Sequence, residues 1–75
     1  MPTDWYEERH RLRSGMIFRL KDDDTIVRLD RSVPGDGTDW YADIRCKSPH
    51  DGRSYWSADD YRLHPGDLGE QLPDG

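Results

Sequence analysis

The most constraining feature of this sequence is the alternation of apolar and polar residues in "DWYADIRCK", positions 39–47. A period of two is typical of a β-strand with one buried face and one solvated face. The predicted inward residues are Trp40, Ala42, Ile44 and Cys46. Tyr41 then lies on the outward face among charged side chains. The stretch predicts a strand and raises the question of what that outward face contacts.

Shorter alternating segments precede and follow this strand, separated by turn-forming clusters such as "DDD", "PGDG" and "SPHDG". "SADD" predicts one helical turn, with Ser57 as its N-cap. The predicted strands are 16–21, 25–31, 39–47, 53–57 and 61–64. In the first two, alternation directs Ile17 and Ile26 outward and the following residues inward: Met16, Phe18, Leu20, Val27 and Leu29. Five short strands predict an all-β domain, and closure into a five-stranded barrel would remove exposed sheet edges.

The two ends of the chain lack this alternation. Residues 1–14 are predicted to form an appendage, either extended or containing a short helix over 3–12 that Asp4 would cap. Trp5 is the reason to expect that this appendage docks on the domain. Residues 66–75 are rich in Gly and Pro and predict a disordered, flexible tail, so the barrel itself is predicted over 15–65.

The order of elements over residues 15–64 resembles the SH3-like small barrels, such as Src-homology, Tudor and KOW domains. "DWYADI" is similar to the central "W-x-A" strand, and "ADDYRL" is similar to the turn before the last strand of a Src-homology domain. The resemblance implies that Tyr61 matches the groove tyrosine of that turn. Ala58 stands where the family has a groove proline, so the resemblance does not imply recognition of proline-rich peptides.

Composition limits the classes of function. The chain has 75 residues, a net charge of −5 and one cysteine, so it has room for one small domain and no intramolecular disulfide. It contains neither an apolar run of about 20 residues nor a secretory signal pattern, so we expect a cytoplasmic location and no membrane partner. Basic residues concentrate in the predicted strands, and many aspartates lie in the connections, where turn formation explains them.

Catalytic and ligand-binding signatures are not found in the sequence. His10, His50 and His64 have no spacing that indicates a catalytic triad or a metal pair, and Cys46 is expected to be a small core residue. The three aspartates at 22–24 lack the spacing of a calcium loop. We therefore expect a protein that is not an enzyme and that has no cofactor, no metal ion and no small-molecule substrate.

Two surface interpretations remain. The first is a partner-binding patch of aromatic and arginine side chains, which are enriched in protein–protein interfaces. Its candidate residues are Tyr41, Arg28, Arg45, Tyr55, Trp56, Tyr61 and Arg62, with only one of the neighbours Tyr55 and Trp56 expected to point outward. The same residues could instead be ordinary cross-strand pairs.

The second interpretation is nucleic-acid binding by the basic strands, with aromatic rings stacking on bases. An acidic mimic of DNA, and an aromatic cage for a methylated side chain formed by Trp40, Tyr55 or Trp56, are further alternatives. The prediction adopted is a small non-enzymatic module that binds another protein. It resembles the small stand-alone reading frames of bacterial and phage genomes.

Overall fold

The computed structural model describes residues 3–35, 37–58 and 60–73. These residues form six strands and two short 3-10 turns, at Arg9–Arg11 and Pro65–Asp67. The strands are β1 (Ile17–Leu20), β2 (Ile26–Ser32), β3 (Trp40–Lys47), β4 (Ser54–Trp56), β5 (Tyr61–Leu63) and β6 (Leu68–Leu72).

The strands form one open antiparallel sheet in the order β4-β3-β2-β1-β6. Both β4 and β5 pair with β3: β5 lies beside its first half and β4 beside its second half. The all-β prediction is confirmed. The predicted count of five strands becomes six, because the chain forms another strand after residue 64.

The predicted alternation decides which face of the sheet is buried. Phe18, Val27 and Ala42 are fully buried, and Leu29 and Leu63 are nearly so. The partly buried side chains that pack against this core are Met16, Leu20, Trp40 and Ile44. The inward assignment of β1, β2 and the first part of β3 is therefore confirmed.

Cys46 is only partly buried and lies outside this core. It pairs with Tyr55 near the end of β3, and its Sγ lies 3.6 Å from the carbonyl oxygen of Ile44. The expectation of a core cysteine is therefore corrected. The sequence alternation continues to the end of β3, but the core does not extend that far, so an inward position there is not a buried one.

The N-terminal segment docks on the core without forming an α-helix. Trp5 and Leu12 are each 3% exposed. The Trp5 ring packs edge-on against Phe18, with 5.0 Å between ring centroids, and its indole N–H donates to the carbonyl oxygen of Gly69 at 3.1 Å. Asp4 does not cap a helix: its Oδ1 accepts from the backbone N–H of Tyr6 at 3.0 Å and closes a local turn. A turn and a 3-10 turn follow in place of the predicted helix, which agrees with the weak stability of helices of about ten residues.

Residues 66–73 correct the prediction of a flexible tail over 66–75, of which residues 74 and 75 lie outside the described part of the chain. Residues 68–72 form β6, which pairs with β1 and buries Leu68 completely. Gly69 allows the two strands to approach closely, because a Cβ at this position would lie 2.7 Å from the carbonyl oxygen of Arg19. Glycine within a strand often marks such an approach or a bulge, and the β1–β6 register shifts here.

The predicted helical turn in "SADD" is also corrected, for residues 57, 58 and 60. Ser57 pairs with β3, because its backbone N–H donates to the carbonyl oxygen of Ile44 at 2.8 Å and its hydroxyl accepts from the Ile44 N–H at 3.3 Å. Asp59 lies outside the described residues. Asp60 has a φ of 50°, a left-handed conformation that aspartate tolerates better than most residues.

Candidate partner-binding face

The sheet face opposite the core carries the outward residues of β1, β2, β3, β4 and β6. Cross-strand pairing places Ile17 opposite both Arg28 and Leu72, and Arg45 opposite Trp56. We call this surface the open face. Its defining residues are Ile17, Ile26, Trp56, Leu72, Arg19, Arg28 and Arg45.

An apolar floor runs across the open face. Ile17 and Leu72 are direct neighbours on β1 and β6, and Ile26 lies diagonally from Ile17 on β2. All three side chains are partly buried. Together with Trp56 and Arg45 they line a concave pocket of about 520 Å³. A solvated sheet face is usually polar, so this cluster differs from the pattern that strand alternation alone would give.

Arg28 and Trp56 form an ordered pair at one side of this floor. The guanidinium carbon of Arg28 lies 4.7 Å from the centroid of the Trp56 ring, within cation–π range. Arg28 Nη2 also lies 3.1 Å from Asp43 Oδ2 across β2 and β3. The carboxylate and the ring therefore hold the arginine in place, and the arginine covers one part of the indole.

Tyr41 lies near the start of β3, on the same side of the sheet, and its ring contacts another arginine. The guanidinium carbon of Arg31 lies 4.5 Å from the Tyr41 ring centroid. Arg31 also donates two hydrogen bonds to the Asp60 carboxylate, at 3.1 and 3.2 Å. These bonds lower the pKa of Asp60 and raise the pKa of Arg31. Tyr41 thus serves first as the platform of an intramolecular arginine–carboxylate pair.

Three further arginines lie on this side of the sheet, and two of them form ion pairs with carboxylates within the described part of the chain while the third does not. Arg62, opposite Tyr41 on β5, donates to Asp39 Oδ2 at 2.8 Å, and Arg19 Nη1 lies 3.3 Å from Glu70 Oε2. Arg45 has no ion-pair partner among the described residues. It is exposed at the rim of the concave pocket, where its charge is available to a ligand.

The structure divides the predicted patch between the two sides of the sheet. Arg28, Tyr41, Arg45, Trp56 and Arg62 lie on the side opposite the core, and Trp56 rather than Tyr55 is the outward neighbour. Tyr55 and Tyr61 pair with the inward residues Cys46 and Ala42, although they remain 50% and 41% exposed at the sheet edge. From that edge Tyr55 also contributes to the lining of the concave pocket.

Tyr61 also departs from the resemblance stated above. It lies in β5, whereas the turn before the last strand is Pro65–Asp67. The expectation that 61–64 is the last strand is therefore corrected, and the match of Tyr61 to the groove tyrosine of Src-homology domains stays a prediction. The match depended on taking 61–64 as the last strand of the domain.

Sequence reasoning missed Arg19 and all three residues of the apolar floor. Ile17 and Ile26 were placed outward by alternation, but no role was assigned to them. Leu72 was placed in a flexible tail. The available signal was two isoleucines at outward positions of neighbouring strands, which a solvated sheet face does not require.

Across residues 3–35, 37–58 and 60–73, no group of three or more histidine, cysteine or acidic side chains could hold a metal ion. His64 has a structural contact: its Nδ1 accepts from the backbone N–H of Gly66 at 3.0 Å, and its ring stacks on Tyr6.

Fold and face together define a small all-β domain whose sheet is covered on one side and open on the other. Comparison of the chain with protein-family models, with curated proteins and with solved structures finds no match. Within the described residues, no helix has the length and apolar character needed to cross a membrane.

Proposed function

We propose that this chain is a small non-enzymatic interaction module that binds another protein through the open face. One observation carries the proposal: Ile17, Ile26 and Leu72 form a contiguous apolar floor that no element among the described residues covers. Contiguous apolar surface rimmed by polar side chains is typical of an interaction site.

The side chains around the floor also suit a protein interface. Arginine and tryptophan are the residue types most enriched at binding hot spots. Arg28 and Trp56 are already held against each other, so binding would immobilise few additional rotamers. A partner that covers the floor would therefore gain apolar burial at a modest cost in side-chain entropy.

We further propose that the fold is a member of the SH3-like small barrels. In support, the last strand returns to the far side of β1 after a 3-10 turn at Pro65–Asp67, and the sheet order is β4-β3-β2-β1-β6. Such barrels bind many kinds of ligand, so this assignment does not select a partner.

Nucleic-acid binding is the second candidate, favoured by Arg45 and Trp56 lying side by side on β3 and β4. Two of the neighbouring arginines are already paired, Arg28 with Asp43 and Arg19 with Glu70. Asp43 on β3 and Glu70 on β6 would repel a continuous phosphate backbone that crosses the sheet between them. Binding to phosphates weakens steeply with salt, whereas a mainly apolar protein contact weakens much less, so salt dependence separates the two candidates.

The proposal is tested by affinity capture from native cells, with and without nuclease treatment, and the captured proteins are identified by mass spectrometry. Trp56→Ala and Arg45→Glu should each strongly reduce capture of the same protein. Tyr61→Ala removes an exposed aromatic ring from the other side of the sheet and should leave capture unchanged.

Circular dichroism of each purified variant must first confirm a native spectrum. If Trp56→Ala does not fold, Arg45→Glu carries the test, because Arg45 is exposed and has no ion pair among the described residues. Equal capture by wild type and both open-face variants would refute the proposal. Capture that nuclease abolishes would favour nucleic-acid binding instead.

A further inference from the structure

Resting on the proposed function, we infer that the partner presents an extended acidic segment, with carboxylates two residues apart beside an apolar side chain. The apolar requirement follows from the floor formed by Ile17, Ile26 and Leu72. The acidic requirement follows from the cations at the rim of the floor, because some of them have a carboxylate partner among the described residues and others have none.

Four cations lie on the side of the sheet opposite the core, near the floor. Arg19 and Arg28 are paired with Glu70 and Asp43, at 3.3 and 3.1 Å. The other two, Arg45 and Lys47, are exposed and have no ion-pair partner within the described part of the chain. The local balance is thus positive in a protein whose net charge is −5.

Arg45 and Lys47 are separated by one residue on β3, so both side chains point to the same side of the sheet. Their Cα atoms are about 6.5 to 7 Å apart, which is the spacing of two carboxylates at positions i and i+2 of an extended segment. Asp24 contributes to a neighbouring groove that these two residues also line, but it forms no ion pair with either. An acidic segment placed along β3 would supply the missing counter-charges.

The arrangement of the floor fixes the position of the apolar side chain. Arg45 and Ile26 line both the concave pocket and the neighbouring groove that contains Lys47. A segment with its carboxylates on Arg45 and Lys47 therefore places an adjoining side chain over Ile26 and Ile17. Leucine or an aromatic residue there would cover the floor and remove it from water.

The experiment is selection of peptides from a randomised twelve-residue display library on the immobilised wild-type protein. Selected peptides should be enriched in Asp or Glu with i, i+2 spacing next to a leucine or an aromatic residue. One selected peptide is then synthesised, labelled with a fluorophore, and titrated by fluorescence polarisation.

Charge reversal provides the decisive comparison. The double variant R45E/K47E should weaken binding of the selected peptide by about tenfold or more, since two attractions become repulsions. Selection on this double variant should yield basic peptides that retain the apolar residue. Lys21→Glu makes the same chemical change as Lys47→Glu in a different pocket, beside Trp5, and should leave binding unchanged.

The outcomes separate this inference from the proposed function. Enrichment of neutral or basic peptides on wild type, with capture of the native partner still dependent on Trp56, would refute the acidic segment and leave the module intact. Absence of any enriched peptide, with capture independent of the open face, would refute both. A labelled oligothymidine of twelve nucleotides provides the last comparison. If it binds wild type in a salt-sensitive way and R45E/K47E abolishes that binding, the face is a nucleic-acid surface and the inference is overturned. If the double variant is not folded, Lys47→Glu alone replaces it.

Discussion

Tyr41 lies among charges because its ring supports the guanidinium of Arg31, which in turn binds Asp60. Three side chains from β2, β3 and the segment before β5 are thus joined on one side of the sheet. This arrangement favours cross-strand pairing as the first role of Tyr41, the interpretation that the sequence left open. The more accessible binding residues are Arg45 and Trp56, further along β3 and on its neighbour β4.

Replacing Asp60 by asparagine should reduce stability near neutral pH and flatten its dependence on pH in the acid range. Hydrogen bonds from Arg31 lower the pKa of Asp60 in the folded state. A lowered pKa stabilises the fold above the unfolded-state value of about 3.9 and loses that contribution as pH falls through the folded-state value. Asparagine keeps the tolerance for the φ of 50° at this position, so the variant isolates the charge.

Urea denaturation of both proteins between pH 3 and pH 7 measures the effect. The difference between wild type and Asp60→Asn should be largest near pH 7 and should shrink below about pH 4. A difference that stays constant over this range would show that the carboxylate charge contributes nothing and that the lost stability has another cause.

At the scale of elements, the sequence was sufficient where alternation was long. The eight residues of β3 and the seven of β2 carry enough period-two signal to fix both strand and face. β6 has five residues, "LGEQL", with Gly69 among them and Gly and Pro on either side, so its local pattern resembles a loop. Its formation depends on tertiary pairing with β1 and burial of Leu68, neither of which local sequence reveals.

The contrast between Leu68 and Leu72 tests whether β6 is a structural strand. Leu68 is fully buried beneath the sheet, whereas Leu72 lies partly exposed on the open face. Leu68→Ala should lower the free energy of unfolding by about 2–5 kcal/mol, as large-to-small core substitutions do. Leu72→Ala, the same change at the other end of the strand, should cost clearly less and should weaken partner binding. Chemical denaturation of the two variants measures the free energy of unfolding. If both substitutions lower it by the same small amount, residues 68–72 do not act as a structural strand and the prediction of a flexible tail was right.

For the whole molecule, the two ends of the chain complete the core. The N-terminal segment supplies Trp5 and Leu12, and β6 supplies Leu68, to a sheet whose remaining strands come from the middle of the sequence. Four members of the predicted patch do point outward, because alternation on the predicted strands assigns their side; they are Arg28, Tyr41, Arg45 and Arg62. The Leu72 part of the floor could not be predicted, since it requires the β1–β6 pairing, whereas Ile17 and Ile26 lie at outward positions of the predicted strands.

The contact between the two ends predicts that Trp5 stabilises the whole fold. Trp5 is 3% exposed, packs against Phe18 and donates to the Gly69 carbonyl oxygen, so it joins the N-terminal segment, β1 and β6. Trp5→Ala should lower the free energy of unfolding by about 3–5 kcal/mol, the range for truncation of a core aromatic residue. Domains of this size are stable by only about 5–15 kcal/mol, so much of the protein could unfold.

Two matched variants make this last prediction specific. Trp5→Phe keeps an aromatic ring but removes the indole donor, and it should fall between wild type and Trp5→Ala. Tyr6→Ala removes the neighbouring ring, which is 42% exposed and stacks on His64, and it should cost much less than Trp5→Ala. Urea denaturation followed by far-ultraviolet circular dichroism gives the midpoints, and amide hydrogen exchange shows whether β6 loses protection in Trp5→Ala. Equal midpoints for Trp5→Ala and Tyr6→Ala, with β6 still protected, would mean that the N-terminal segment does not hold β6 in place.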